Sequence, residues 1–125
     1  MVIYMNSNIS DTPLVCNMGV FTPGERENHI QSTTRLYRSM QDIHEVENGY
    51  GFIFPNETGI TPKLAEFISN ERRCCPFLGF TLKITSSNAP ISLFLTGPEG
   101  TQEFLRAEFT EYRASGREAS YENNF

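Results

Sequence analysis

The sequence predicts an α+β fold with the order helix, hairpin, helix, hairpin, helix, in which helices cover one face of a four-stranded, mainly antiparallel sheet. Three observations predict it. Proline follows a helix-capping residue at helix starts, and short segments of alternating apolar and polar residues come in closely spaced pairs, which favours antiparallel hairpins. The chain has 125 residues, 38% hydrophobic and 20% charged, which fits one globular domain.

The helix starts carry capping signals. The run Thr22 to Glu25 offers an N-cap threonine, a proline at the first helical position and a glutamate that completes a capping box, so we predict a helix over 23–40. Thr61-Pro62 predicts a second helix over 62–74, which Pro76 limits. We expect the third helix to open at the Gly97-Pro98-Glu99 run.

The strands are predicted from alternation. Asn48-Gly49 is the strongest short hairpin signal in the chain and predicts a type I′ turn that sets Glu45 opposite Phe52. Alternation then marks one buried face of the following strand, and two further alternating segments form the second hairpin. The apolar residues of these strands are Tyr50, Phe52, Phe54, Phe80, Leu82, Ile84, Ile91, Leu93 and Leu95.

Composition excludes several function classes. We expect an irregular lead-in over 1–13, a single α+β domain over 14–113 and a polar tail over 114–125. The net charge of −5 argues against binding nucleic acid or an anionic membrane through bulk charge. No apolar run is long enough to span a bilayer and the first residues lack the pattern of a secretory signal, so we expect a cytoplasmic protein.

The chain has three cysteines, Cys16, Cys74 and Cys75, which we expect to be reduced thiols in the cytoplasm. The adjacent pair cannot comfortably join in a disulfide, because neighbouring Cα atoms lie about 3.8 Å apart and a disulfide needs more than about 4.4 Å. This doublet therefore serves either packing or chemistry.

The chemistry of the doublet depends on Glu71, which occupies a position on the apolar stripe of the second helix. A buried carboxylate needs a partner or a proton. Cys74 and Cys75 follow three and four residues later, which brings all three side chains near one another at the helix end.

Several kinds of chemistry suit this set of groups. Thiolates select soft or borderline ions such as zinc, copper(I), mercury(II) and arsenic(III), and Cys16 could add a third thiol. The thiols could instead serve redox exchange, or Glu71 could act as a general acid. Cleavage of a mercury–carbon bond would use two thiols and a carboxylic acid, which is an analogy of chemistry only.

Other polar residues have simpler interpretations beside functional ones. His29 lies near the apolar stripe of the first helix and could be a ligand or base, although a satisfied core histidine is the commoner case. Glu45 is either a second inward carboxylate or an edge-strand charge. Arg72 and Arg73 are typical of solvated charges at a helix end. The run 95–100 indicates a turn and cap rather than a phosphate site, since it lacks the glycine-lysine pattern.

The run Glu-Arg-Arg-Cys-Cys-Pro-Phe at 71–77 and the run Leu-Thr-Gly-Pro-Glu-Gly at 95–100 resemble a family of small, uncharacterised bacterial proteins. Residues 49–52 and 22–26 also look like that family, and the resemblance covers about residues 14 to 112. It implies a shared fold and makes the Cys-Cys region the distinguishing site.

The leading hypothesis is a soft-metal-binding or thiol-reactive protein. Cys74 and Cys75 are its primary thiols, Glu71 is a carboxylate ligand or proton donor, and Cys16 is a third candidate thiol. The ion would be soft or borderline, such as zinc or mercury, and a small thiol-reactive ligand is the other candidate partner. The alternative is a non-enzymatic interaction module, with cysteines that only pack and an exposed sheet edge that would suit a homodimer.

Overall fold

The computed structural model describes the backbone of residues 14–123 and the side chains of residues 14–112. It has an α+β fold with three helices and a four-stranded antiparallel sheet, as predicted. The elements in chain order are a 3₁₀ turn (Met18–Val20), α1 (Pro23–Arg38), β1 (Asp42–Val46), β2 (Gly49–Phe54), α2 (Ile60–Cys74), β3 (Gly79–Lys83), β4 (Ile91–Thr96) and α3 (Thr101–Asn123). Within the described residues, no helix is long and apolar enough to cross a membrane.

The sheet has the strand order β1-β2-β4-β3, and each neighbouring pair is antiparallel. Side chains alternate between the two faces of a strand, so the two central strands each turn every second residue into the core. These buried residues are Tyr50, Phe52 and Phe54 of β2 and Ile91, Leu93 and Leu95 of β4.

The turn of the first hairpin lies one residue earlier than the predicted Asn48-Gly49 turn. Val46 pairs with Gly49 and Glu45 pairs with Tyr50, not with Phe52, so the turn residues are Glu47 and Asn48. Asn48 supplies a positive φ of 56°. Gly49 is needed in the strand instead, because a Cβ atom there would clash with the carbonyl oxygen of Leu95.

The helices start close to the predicted positions, with one different cap. In α1 the Thr22 side chain accepts from the Glu25 backbone N–H and Glu25 bonds back to the Thr22 N–H, which is the predicted capping box. Helix α2 begins two residues earlier than predicted, after Gly59 with a φ of 96°, and Thr61 does not cap it. Glycine allows the chain to enter α2 from the left-handed region. The prediction missed this start because Thr61-Pro62 is the stronger local capping signal.

Helix α3 begins at Thr101, whose hydroxyl donates to the carbonyl of Pro98 at 2.6 Å. The helix continues to Asn123, so residues 114–123 of the predicted tail are helical. The predicted lead-in over 1–13 lies outside the described residues.

Aromatic rings join the helices to the sheet. Tyr37 of α1 lies against Phe52 with ring centroids 5.8 Å apart, and Phe109 of α3 meets Tyr50 edge-on at 5.2 Å. Helices α1 and α3 therefore pack on the face of the sheet that carries the buried residues of β2. That the helices cover only this face of the sheet stays a prediction.

The segment before α1 is held against the end of α2. The backbone N–H of Asn17 donates to the carbonyl of Cys74 at 2.7 Å, and the Arg73 guanidinium donates to the carbonyl of Val20 at 3.1 Å. These contacts bring residues 14–20, distant in sequence, beside the Cys-Cys doublet.

Candidate metal centre

The Cys-Cys doublet lies where α2 stops. Cys74 is the last helical residue, and Cys75 has left the helix with a φ of −122°, while its N–H still bonds to the carbonyl of Glu71 at 2.8 Å. On a continuing helix adjacent side chains would point about 100° apart. Because the helix ends between them, both sulfurs turn into the core, with their Sγ atoms 3.5 Å apart and each residue only 1% exposed.

Cys16 reaches this doublet and forms a disulfide with Cys75 across 59 residues of sequence, with Cα atoms 4.2 Å apart. The expectation of three reduced thiols is therefore wrong for this structure, in which only Cys74 remains a thiol. The expectation failed because the sequence did not show that the segment of residues 14–20 docks beside Cys75.

Glu71 lies at the centre of the site, as its stripe position indicated. Its side chain is buried, and its Oε1 atom lies 2.9 Å from Nε2 of His29, a hydrogen bond in which the imidazole donates when Glu71 is ionised. The same Oε1 is 3.9 Å from Cys74 Sγ, and Oε2 is 3.5 Å from Cys75 Sγ. The carboxylate thus contacts imidazole and sulfur at once.

His29 is a buried core histidine, as the sequence favoured, and its contact with Glu71 also brings it to the site. It is 1% exposed and lies between the rings of Phe21 and Phe67, with centroids 5.2 and 6.1 Å away. Its Nδ1 atom has no hydrogen-bond partner within the part of the chain described here. The contact with Glu71 is thus what orients the imidazole.

Glu108 of α3 is a site residue that sequence reasoning missed. Its Oε2 atom lies 4.0 Å from Cys16 Sγ, while Oε1 is buried with no partner among the described residues. Burial first, and then the nearby carboxylates of Glu71 and Glu111, raise the pKa of Glu108 to about 8. Its position between Leu105 and Phe109, both buried residues of α3, is the sequence signal that would have revealed it.

The site has a surplus of acidic groups. Burial, followed by the charges of Glu71 and Glu108, raises the pKa of the Cys74 thiol to about 12. Burial and the same carboxylates also raise the pKa values of the Tyr37 and Tyr112 hydroxyls above their ordinary range. In this pocket an added negative charge is costly and a cation would be stabilised.

The other candidates lie outside the site. Glu45 is exposed, with Oε2 3.7 Å from the Arg106 guanidinium, so it is not an inward carboxylate. Arg73 is half-exposed and covers the Phe21 ring at 4.7 Å, and Arg72 is exposed.

Two sets of ligand atoms each lie within 4.8 Å of one another. One set has two sulfurs and two carboxylates, and the other has an imidazole, a carboxylate and a sulfur. Such groups are the ligands that soft and borderline ions prefer. The members are Cys16, Glu71, Cys75 and Glu108 in the first set, and His29, Glu71 and Cys74 in the second.

Comparison with known protein families, with curated proteins and with solved structures finds no match to this chain. The resemblance carried by residues 71–77 and 95–100 stays a prediction. The function is therefore inferred from the geometry of the site.

Proposed function

We propose that this protein, in its reduced state, binds a soft, thiophilic ion through Cys16, Cys74 and Cys75. The observation that carries the proposal is the convergence of three sulfurs: Cys75 Sγ is bonded to Cys16 Sγ and lies 3.5 Å from Cys74 Sγ. Three thiolates on one side of an ion match the preference of soft ions for sulfur.

Binding requires that the Cys16–Cys75 bond first be reduced. A thiol reductant supplies two electrons and two protons, which leave one thiol on each cysteine, and is itself oxidised to a disulfide. Two hydrogen bonds hold the segment around Cys16 without sulfur: the Asn17 N–H donates to the Cys74 carbonyl, and the Arg73 guanidinium donates to the Val20 carbonyl. They therefore keep Cys16 in place after reduction. A cytoplasmic location is part of this proposal, because the cytoplasm keeps thiols reduced.

Glu71 has the supporting role in this proposal. Its carboxylate lies 3.5 Å from one sulfur and 3.9 Å from another, so it can act as a further ligand or accept the protons that the thiols lose. His29 holds the carboxylate in position through the 2.9 Å hydrogen bond. An orienting partner of this kind commonly tunes a metal ligand.

The second candidate is a structural module in which the disulfide only stabilises the fold. Its supporting observation is that Cys74 and Cys75 are each 1% exposed and belong to the hydrophobic core. A homodimer would belong to this second proposal.

Arsenite separates the two candidates, because it binds tightly only where two or three thiols converge. We expect the reduced protein to bind one arsenite per chain and the oxidised protein, which has only the Cys74 thiol, to bind none. Cys16→Ser, Cys74→Ser and Cys75→Ser should each weaken binding by at least about tenfold, since each loses a ligand. Elemental analysis and titration by calorimetry measure both quantities.

Glu71→Gln is the companion variant, and Glu66→Gln on the exposed side of the same helix is its matched control. We expect Glu71→Gln to weaken arsenite binding more than it lowers the free energy of unfolding, and Glu66→Gln to change neither. Two results would remove the proposed function and leave the structural module. One is reduced wild type that binds no arsenite, and the other is Cys→Ser variants that all bind arsenite as tightly as wild type does.

A further inference from the structure

The disulfide leaves a second set of ligands untouched. His29 Nε2, a carboxylate oxygen of Glu71 and Cys74 Sγ lie within 4.8 Å of one another. None of them takes part in the Cys16–Cys75 bond. They lie on two regular helices, His29 on α1 and the other two three residues apart on α2.

The distances are close to those of a coordination shell. Zinc bonds of about 2.0–2.3 Å to nitrogen, oxygen and sulfur give tetrahedron edges of about 3.3–3.6 Å. The corresponding distances in this pocket are 2.9 Å from His29 Nε2 to Glu71 Oε1 and 3.9 Å from Glu71 Oε1 to Cys74 Sγ. Shifts of about half an ångström would bring these two distances to the edges of a zinc tetrahedron. The third distance, from His29 Nε2 to Cys74 Sγ, lies within 4.8 Å and would shorten by at most about 1.3 Å.

The donor groups of the pocket point independently to a cation. Two carboxyl groups and three sulfurs are gathered here, and Glu108 presents a buried oxygen with no partner within the residues described. Among residues 14–112 no lysine or arginine is buried. A divalent cation would therefore meet nitrogen, oxygen and sulfur donors here with no competing positive charge beside them.

We propose that the oxidised protein binds a borderline divalent cation of the zinc class through His29, Glu71 and Cys74. On binding, the Cys74 thiol loses its proton to solvent and a metal–sulfur bond forms, with no change of oxidation state. His29 shifts its proton from Nε2 to Nδ1, and the Nε2 lone pair bonds to the ion.

The unpartnered Nδ1 sets a limit on the affinity. Metal-bound histidines usually donate their second ring N–H to a neighbour, and His29 has none among the described residues. We therefore expect binding weaker than that of a structural zinc site. The site shares Glu71 and Cys74 with the proposed thiophilic site and in that respect rests on it, but it does not require reduction.

Co²⁺ added to the oxidised protein tests this inference, because tetrahedral Co²⁺ absorbs visible light and a thiolate ligand adds a near-ultraviolet charge-transfer band. We expect one Co²⁺ per chain with both signals, competed away by Zn²⁺. Cys74→Ser should lose the charge-transfer band. His29→Gln should weaken binding by at least about tenfold, and His44→Gln, at an exposed histidine, should not change it.

If His29→Gln does not fold, imidazole NMR of the oxidised wild type with Zn²⁺ replaces it. The signals of His29 should shift and those of His44 should not. Oxidised wild type without a charge-transfer band, or with unchanged His29 signals, overturns the inference. If this inference fails but the reduced protein binds arsenite, the proposed function stands. If the oxidised protein binds Co²⁺ but the reduced protein binds no arsenite, only the proposed function fails.

Discussion

At the scale of single residues, the site is defined by acidic groups that are buried beside one another. Glu71 has the His29 imidazole as its partner, 2.9 Å away. Glu108 has no such partner at Oε1, and its raised pKa of about 8 means that it holds its proton at neutral pH. The two glutamates thus differ in environment although both face the sulfurs.

The raised pKa of Glu108 predicts a pH dependence of stability. Its ordinary value is 4.5 and its folded value is about 8, so between these values the folded chain binds more protons than the unfolded chain. The contribution is fully present below about pH 4.5 and is lost as the pH rises through about 8, so the free energy of unfolding should fall over this window, by at most about 5 kcal/mol. Urea denaturation of the oxidised protein at several pH values measures it.

Glu108→Gln should flatten this dependence, because glutamine carries no titrating proton. The control is Glu103→Gln, an exposed position on the same helix, which should keep the wild-type slope. If the free energy of unfolding falls with pH equally in Glu108→Gln and in wild type, Glu108 is ionised in the folded protein at neutral pH.

At the scale of elements, the ends of the helices decide where the reactive groups lie. Helix α2 ends between Cys74 and Cys75, and this break is what lets adjacent sulfurs face the same pocket. Helix α1 begins at its capping box and carries His29 two turns later onto Glu71. A shift of either helix end would separate the ligands.

Thr22-Pro23 and Thr61-Pro62 carry the same capping signal in the sequence, but only Thr22 caps a helix. Thr22→Ala removes the acceptor for the Glu25 N–H and should lower the free energy of unfolding by about 1 kcal/mol. Thr61→Ala is the matched control, because Thr61 lies inside α2 and caps nothing. Thermal or urea denaturation compares them, and an equal loss in both variants would contradict the capping assignment.

The same elements show what the sequence could predict. Local signals were sufficient for the start of α1, for the alternation in β2 and β4 and for the approach of Glu71 to the doublet, because each depends on residues within about four positions. The register of the first hairpin was wrong because Gly49 serves a close contact with Leu95 on another strand. A requirement set by a distant strand leaves no local pattern.

At the scale of the whole molecule, the site joins four segments that are far apart in sequence, and His29 of α1 is one of them. Cys16 precedes α1, the doublet ends α2 and Glu108 lies in α3. The sequence named Cys16 and His29 as candidates but could not place them beside the doublet, and it missed Glu108, since no spacing rule links these residues to Cys75. Tertiary packing determined the rest, including the disulfide.

The disulfide gives a prediction for the whole fold. Closing a loop of 59 residues should stabilise the oxidised protein by about 4 kcal/mol through the entropy of the unfolded chain. Oxidised Cys16→Ser should therefore unfold at lower denaturant than oxidised wild type. In excess thiol reductant the two proteins should unfold together, and a difference that persisted there would assign Cys16 a packing role instead.

The most direct test of the central claim is arsenic X-ray absorption on the reduced protein loaded with one equivalent of arsenite. We expect three sulfur neighbours around arsenic in wild type and two in Cys74→Ser. Two or fewer sulfur neighbours in wild type would contradict the convergence of Cys16, Cys74 and Cys75 on one ion.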